Sequence, residues 1–113
     1  MPVRINSLLR QYIEEIGEIY GEHLKSVILY CSYSREDFRP ESDIDIMILL
    51  DLSDMEICEY RKQLSWITYD FYEEHDIDIK PIAKSEAHYK KWRNAYLFYA
   101  SVKREGVELY GTA

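Results

Sequence analysis

Apolar residues recur at three- and four-residue intervals from about Ser7 to His23, at Leu8, Leu9, Tyr12, Ile13, Ile16, Ile19 and Tyr20. That is the repeat of one helical face. Ser7 stands where an N-cap would, Gly21 lies near the end, and Glu14, Glu15 and Glu18 fall on the outward side. The period then changes. Ser26 to Cys31 is a short continuous apolar run and predicts a buried strand, followed by a polar, turn-rich segment, Ser32 to Glu41, with a short helix closed by Pro40. Asp43 to Leu50 predicts the central strand, because beyond Asp45 both faces are apolar, Met47 and Leu49 on one and Ile46, Ile48 and Leu50 on the other. Ser53 to about Glu74 reads as the longest helix, capped by Ser53, with Ile57, Tyr60, Leu64, Ile67 and Phe71 on its inner stripe and Tyr69 and Tyr72 partly off it. Ile77 to Ile82 predicts a third strand. Ser85 then caps a helix carrying Tyr89 and Trp92, Asn94 breaks it before Ala95 to Val102, and Gly106 precedes a predicted edge strand, Val107 to Tyr110. This order predicts an α/β (α+β) fold, a small mixed sheet of three to four strands flanked by helices, with residues 1–113 as a single domain.

Composition narrows the function classes. At 113 residues the chain is long enough for its own core but too short for a catalytic domain plus a separate substrate domain. No apolar run approaches the roughly 20 residues that span a bilayer, and the N-terminus lacks a signal-peptide apolar region, so the expected location is cytoplasmic. Cys31 and Cys58 form no paired framework and read as small core residues of a reducing compartment. A formal charge of −7 argues against binding nucleic acid through its phosphates. The charge is uneven: Lys80 to Arg104 holds seven Lys and Arg against one acid, Glu86. Such a stretch suits a nucleotide's phosphates, an acidic partner, or simply solvated helix faces.

Asp43 and Asp45 are the candidate chemistry. Two residues apart on a strand, they share a face, and like charges at that spacing repel unless a cation sits between them. Oxygen-rich ligands of this kind suit Mg²⁺. Ser32 closes the preceding strand where a helix start would aim backbone N–H groups at an anion, with Arg35 and Arg39 as charge partners; a plain N-cap needs no ligand. Asp76 and Asp78 share a face on the third strand, and either completes a triad, Asp76 being better suited to the turn after the helix. His23, His75 and His88 have no zinc-type spacing.

Ser32, ten intervening residues, then Asp43-Ile44-Asp45 resembles the signature of the DNA polymerase β-type nucleotidyltransferase superfamily, and its spacing is that of the minimal single-domain branch, the MNT domains. Ser42-Asp43-Ile44-Asp45 matches letter for letter. Ile77-Asp78-Ile79 looks like the family's third carboxylate, and Arg104-Glu105-Gly106-Val107 like a common ending of small members. The resemblance implies a nucleotidyltransferase palm in which Asp43, Asp45 and Asp78 hold two Mg²⁺ ions. It also implies that Ser32, Tyr33, Arg35 and Ser42 line the nucleotide site, with ATP as substrate. Minimal members are commonly paired with HEPN-type toxin proteins and act as antitoxins by moving AMP to a toxin tyrosine, which implies such a toxin as partner and a homo- or hetero-oligomer. The charge and the lack of long apolar runs add the expectation of no direct nucleic-acid or membrane contact.

Two positions depart from the family pattern. Cys31 stands where a glycine precedes the serine, and Glu36 where a second glycine often follows it. Glycine lets backbone approach a phosphate closely, so a Cβ at 31 narrows the site, and a carboxylate at 36 either opposes a triphosphate or points to solvent. Two readings stay open: an enzyme that transfers AMP, and a degenerate MNT-fold module that neutralises its partner by occlusion.

Overall fold

The computed structural model describes residues 3–30, 44–92 and 94–111. The chain enters through α1 (Val3–Tyr20), and a single 3₁₀ turn at Gly21–His23 leads into β1 (Leu24–Tyr30). β2 (Ile44–Leu50) is followed by α2 (Asp54–Glu59), α3 (Arg61–His75) and β3 (Ile79–Ser85). Then come α4 (Glu86–Trp92), α5 (Leu97–Glu105) and β4 (Val107–Gly111).

The four strands make one mixed sheet in the order β3-β2-β1-β4. β1 runs antiparallel to β2 and to β4, whereas β2 and β3 are parallel. Parallel neighbours need a crossover, which α2 and α3 supply. On the face packed by α1 and α3, Val27 and Leu29 of β1, Ile44, Ile46 and Ile48 of β2 and Ile79 of β3 meet Tyr12, Ile16 and Phe71, all buried. The other face carries Tyr30, Met47 and Leu49 under Tyr89 of α4 and Tyr99 and Val102 of α5. With helices on both sides, β2 is apolar on both faces from Ile46 onward. Among the described residues no helix is long and apolar enough to cross a membrane.

Several boundaries differ from the periodicity. α1 begins at Val3, so Ser7 lies inside it and caps nothing. The long helix expected after Ser53 is two: Ser53 caps α2 through a capping box with Glu56, but the chain re-sets at Tyr60, and α3 follows with 15 residues against 18 in α1. β3 starts at Ile79, two residues later than expected, leaving Ile77 buried just outside the strand. Cys58 is exposed on α2 and is not a core residue; Cys31 lies outside the described residues. Asp76 is the α3 C-cap at φ 57°, the left-handed conformation that short polar side chains tolerate, which makes it the turn residue.

A short hydrogen-bond chain fastens α1 to α3. Thr68 donates to the Leu64 carbonyl at 2.7 Å, so Tyr12 donates to the Thr68 hydroxyl at 2.6 Å. Burial holds the Tyr12 phenol protonated far above its usual range. Nearby, Glu15 is half-buried and not fully outward. Its carboxyl is pushed up by burial, then by the charges of Glu74 and Asp70, with His75 pulling the other way. A carboxyl whose folded pKa exceeds its unfolded one binds its proton more tightly when folded, so stability falls as pH rises through that value. Glu15→Gln is therefore expected to raise the melting temperature at about pH 7 by on the order of 1–2 °C, with the gain vanishing near about pH 3. Melting curves across that range check it; a gain independent of pH would assign the effect elsewhere.

Candidate active site

The start of β2, the start of β3 and the end of β1 meet at one end of the sheet. Asp45 lies opposite Tyr30 on one side and opposite Lys80 on the other. Alternation puts Asp45 on the face with Met47 and Leu49, covered farther along by α4 and α5. Asp45 itself is only half-buried. A core strand therefore presents a carboxylate where its helical cover ends.

Asp78 stands one residue before β3, and its carbonyl accepts the Ile44 N–H at 2.9 Å. That bond fixes Asp78 against the first residue of β2. Lys80 extends the alternation from Asp78, and its Nζ lies 3.3 Å from Asp78 Oδ2. Both side chains are about half exposed, 45% for Asp78 and 53% for Lys80. Two of the expected acids, Asp45 and Asp78, thus come to one end of the sheet with a cation between their strands. Asp43, Ser32, Tyr33, Arg35 and Ser42 lie outside the described residues, as does Glu36.

The donor set suits a hard divalent cation. Asp45 and Asp78 offer carboxylate oxygens, and the Lys80 ammonium lies against Asp78. Among the described residues no group of three or more acidic, histidine or cysteine side chains gathers, so a full metal cage requires a ligand from beyond them.

Lys80 is the functional candidate that sequence reasoning passed over, since it appeared only as one member of a basic stretch. The signal was present: two residues after Asp78 on a strand means the same face. The rest of that stretch is partly engaged locally. Lys90 pairs with Glu86 at 3.7 Å, and Lys91 lies over the Trp92 ring at 5.2 Å. His23 pairs with Asp51 at 2.7 Å, and that hydrogen bond, ahead of the nearby Lys25 charge, holds the Asp51 carboxyl below its usual range.

Asp78 and Lys80 also line a cavity of about 600 Å³ between β3 and the α2–α3 pair. Its walls include Ile57, Leu64 and Thr68, with Arg61, Tyr69 and Tyr72 at the rim.

Residues 9–99, well over half the chain, match the family model of the nucleotidyltransferase domain. The chain is 30% identical over 107 residues to "Putative protein adenylyltransferase MJ0141" of Methanocaldococcus jannaschii, covering 95% of this chain and 100% of that one. It is 28% identical over 102 residues to "Putative protein adenylyltransferase MJ0604" of the same organism, covering 90% and 94%. Among solved structures, the fold is similar to "a putative nucleotidyltransferase from Sulfolobus solfataricus" with a TM-score of 0.66 at 19% identity, over 96% of this chain and 82% of that one. It is also similar to a toxin–antitoxin structure with AMP-PNP, with a TM-score of 0.54 at 20% identity, over 90% and 73%. At those identities the structural likeness is one of fold.

Proposed function

We propose that this chain, which belongs to the nucleotidyltransferase family, transfers AMP from ATP to a hydroxyl of a partner protein, with Asp43, Asp45 and Asp78 as its acidic triad. The observation that carries the proposal is the placement of Asp45 and Asp78 at one end of the sheet, where Asp78 is bonded to the first residue of β2 and Lys80 lies opposite Asp45. Relatives named as protein adenylyltransferases support a protein acceptor, and the toxin–antitoxin structure with AMP-PNP supports a nucleotide. We take the acceptor to be a tyrosine of a HEPN-type toxin and the chain to act as its antitoxin.

The reaction is an in-line displacement. The acceptor oxygen forms a bond to the α-phosphorus as the bond from that phosphorus to the α–β bridging oxygen breaks, and pyrophosphate leaves with the electron pair. Asp78, half exposed and hydrogen-bond-competent on the open side, takes the hydroxyl proton. Lys80 aims Asp78 by its 3.3 Å contact. Ser32, Tyr33, Arg35 and Ser42 hold the outer phosphates. Mg²⁺ carried by Asp43, Asp45 and Asp78 supplies, when bound, the positive charge that stabilises the entering and leaving oxygens.

Calorimetric titration with Mg-ATP tests the nucleotide site. Saturable, metal-dependent heat is expected from the wild-type chain, and Asp43→Asn is expected to weaken it by about tenfold or more. Absence of heat in the wild-type chain, alone and with its partner, would replace the enzyme with an occluding module.

A further inference from the structure

β3 is an edge strand, and its hydrogen-bonding parity can be read from one bond. Ile44 donates to the Asp78 carbonyl while lying opposite Ile79, so Asp78, Lys80, Ile82 and Lys84 turn their backbone groups toward β2. Ile79, Pro81 and Ala83 turn theirs outward. Pro81, which has no N–H to give, occupies an outward position, where proline is tolerated on an edge. The free edge therefore offers the N–H groups of Ile79 and Ala83 and the carbonyls of Ile79, Pro81 and Ala83. No partner for these groups exists among the described residues.

The cavity of about 600 Å³ runs along this edge, on the side that faces α2 and α3. Its floor includes Pro81 and Ala83, whose small side chains leave room above the strand. Its rim is aromatic: Tyr69 is 60% exposed and Tyr72 44%. Its ionic groups are few. Lys80 is engaged by Asp78, which leaves Arg61 as a cation without an ion pair among the described residues. A polyanion would need more positive charge, whereas a single acidic side chain matches Arg61.

We propose that this groove binds an extended peptide segment of the acceptor protein as an added strand on β3, the β-augmentation mode of recognition. The proposal rests on the nucleotidyltransferase reading and names how its substrate is presented. Side chains of an added strand alternate between faces. Apolar side chains at every second position enter the groove between β3 and α3, and an acidic one meets Arg61. The interleaved side chains project on the opposite face of the sheet, where alternation puts Asp45 and Lys80, with Asp78 just before β3 at the end of the groove. A hydroxyl residue at the interleaved position beside Asp78 thus lies at the carboxylates while its neighbours are anchored. Residues 79 to 83 span about 13 Å, room for four or five peptide residues.

The test uses a phage-displayed library of random seven-residue peptides selected on the intact chain without nucleotide or metal. Enriched sequences are expected to alternate apolar residues with an acid among the anchors. Synthetic versions should slow amide hydrogen exchange at Ile79 and Ala83 by about tenfold. Ala83→Pro, which deletes an outward donor and no ladder bond, should weaken binding by up to about tenfold, and Arg61→Glu should weaken it similarly. With Mg-ATP, a tyrosine at the interleaved position should gain AMP. Failure of that last step alone, with binding intact, would count against nucleotidyl transfer and leave the groove standing. Peptides that bind while the exchange of Ile79 and Ala83 is unchanged would overturn the groove, as would a library with no enrichment. A dimer of the free chain with those two amides already protected would also overturn it, since a second copy would then hold the edge.

Discussion

Asparagine at position 45 is expected to reduce AMP transfer by about a thousandfold while leaving the fold intact. The substitution keeps the shape of the side chain and removes its charge. Asp45 is half-buried at the point where β2 leaves the core, opposite Lys80. A conservative change at such a position usually alters stability by no more than about 0.5 kcal/mol. On the proposed mechanism, however, loss of the negative charge would remove a ligand for the cations that balance a triphosphate and a developing pyrophosphate. Pyrophosphate release measured beside urea unfolding separates the two effects. Retained activity with an unchanged unfolding midpoint would remove Asp45 from the triad. A collapsed midpoint would give it a structural role instead.

The largest stability effect is expected at Phe71. It is 2% exposed and packs edge-on against Tyr12, with ring centroids 5.4 Å apart and planes at 75°. The His75 ring lies 4.5 Å away on its own helix. Phe71 is thus the residue through which α3 meets both α1 and the sheet, and truncation leaves a cavity that neighbours on three elements cannot all close. Phe71→Ala should cost about 3–5 kcal/mol, a large part of the roughly 5–15 kcal/mol that holds a domain folded. Urea unfolding followed by circular dichroism checks it, the midpoint falling with little change in slope. A loss below about 1 kcal/mol would mean that α1 and α3 re-close over the gap and that their contact is less specific than the structure indicates.

The sheet and the position of Asp45 were legible from local alternation. Asp45 stands at the start of a strand that is apolar on both faces beyond it, which puts it at an emerging end, whereas Asp78 was singled out from Asp76 by the family resemblance. What escaped was non-local or sub-periodic. Ile77 is apolar and buried, as a strand residue would be, yet β3 begins at Ile79, because burial alone does not distinguish a strand from the turn that feeds it. Tyr60 continues the apolar stripe through the α2–α3 junction, so no residue type there announces the break. Cys58 has the chemistry of a core residue but sits on the exposed side of a six-residue helix. The groove is a product of tertiary placement: Pro81 and Ala83 are ordinary small residues until α2 and α3 cross over them. Ser42-Asp43 and the segment from Cys31 to Glu41 carry their meaning through spacing in the sequence and lie outside the described residues.

The two open readings separate on one property, movement of the α-phosphorus of ATP. Incubation of the chain and its co-purified partner with Mg²⁺ and ATP labelled at the α-phosphate, beside ATP labelled at the γ-phosphate, measures that property directly. The expected result is label on a partner tyrosine from α-labelled ATP only, lost in Asp43→Asn and Asp45→Asn. Label from the γ-phosphate would replace nucleotidyl transfer with phosphoryl transfer, and none from either while chain and partner remain bound would leave occlusion as what this fold does.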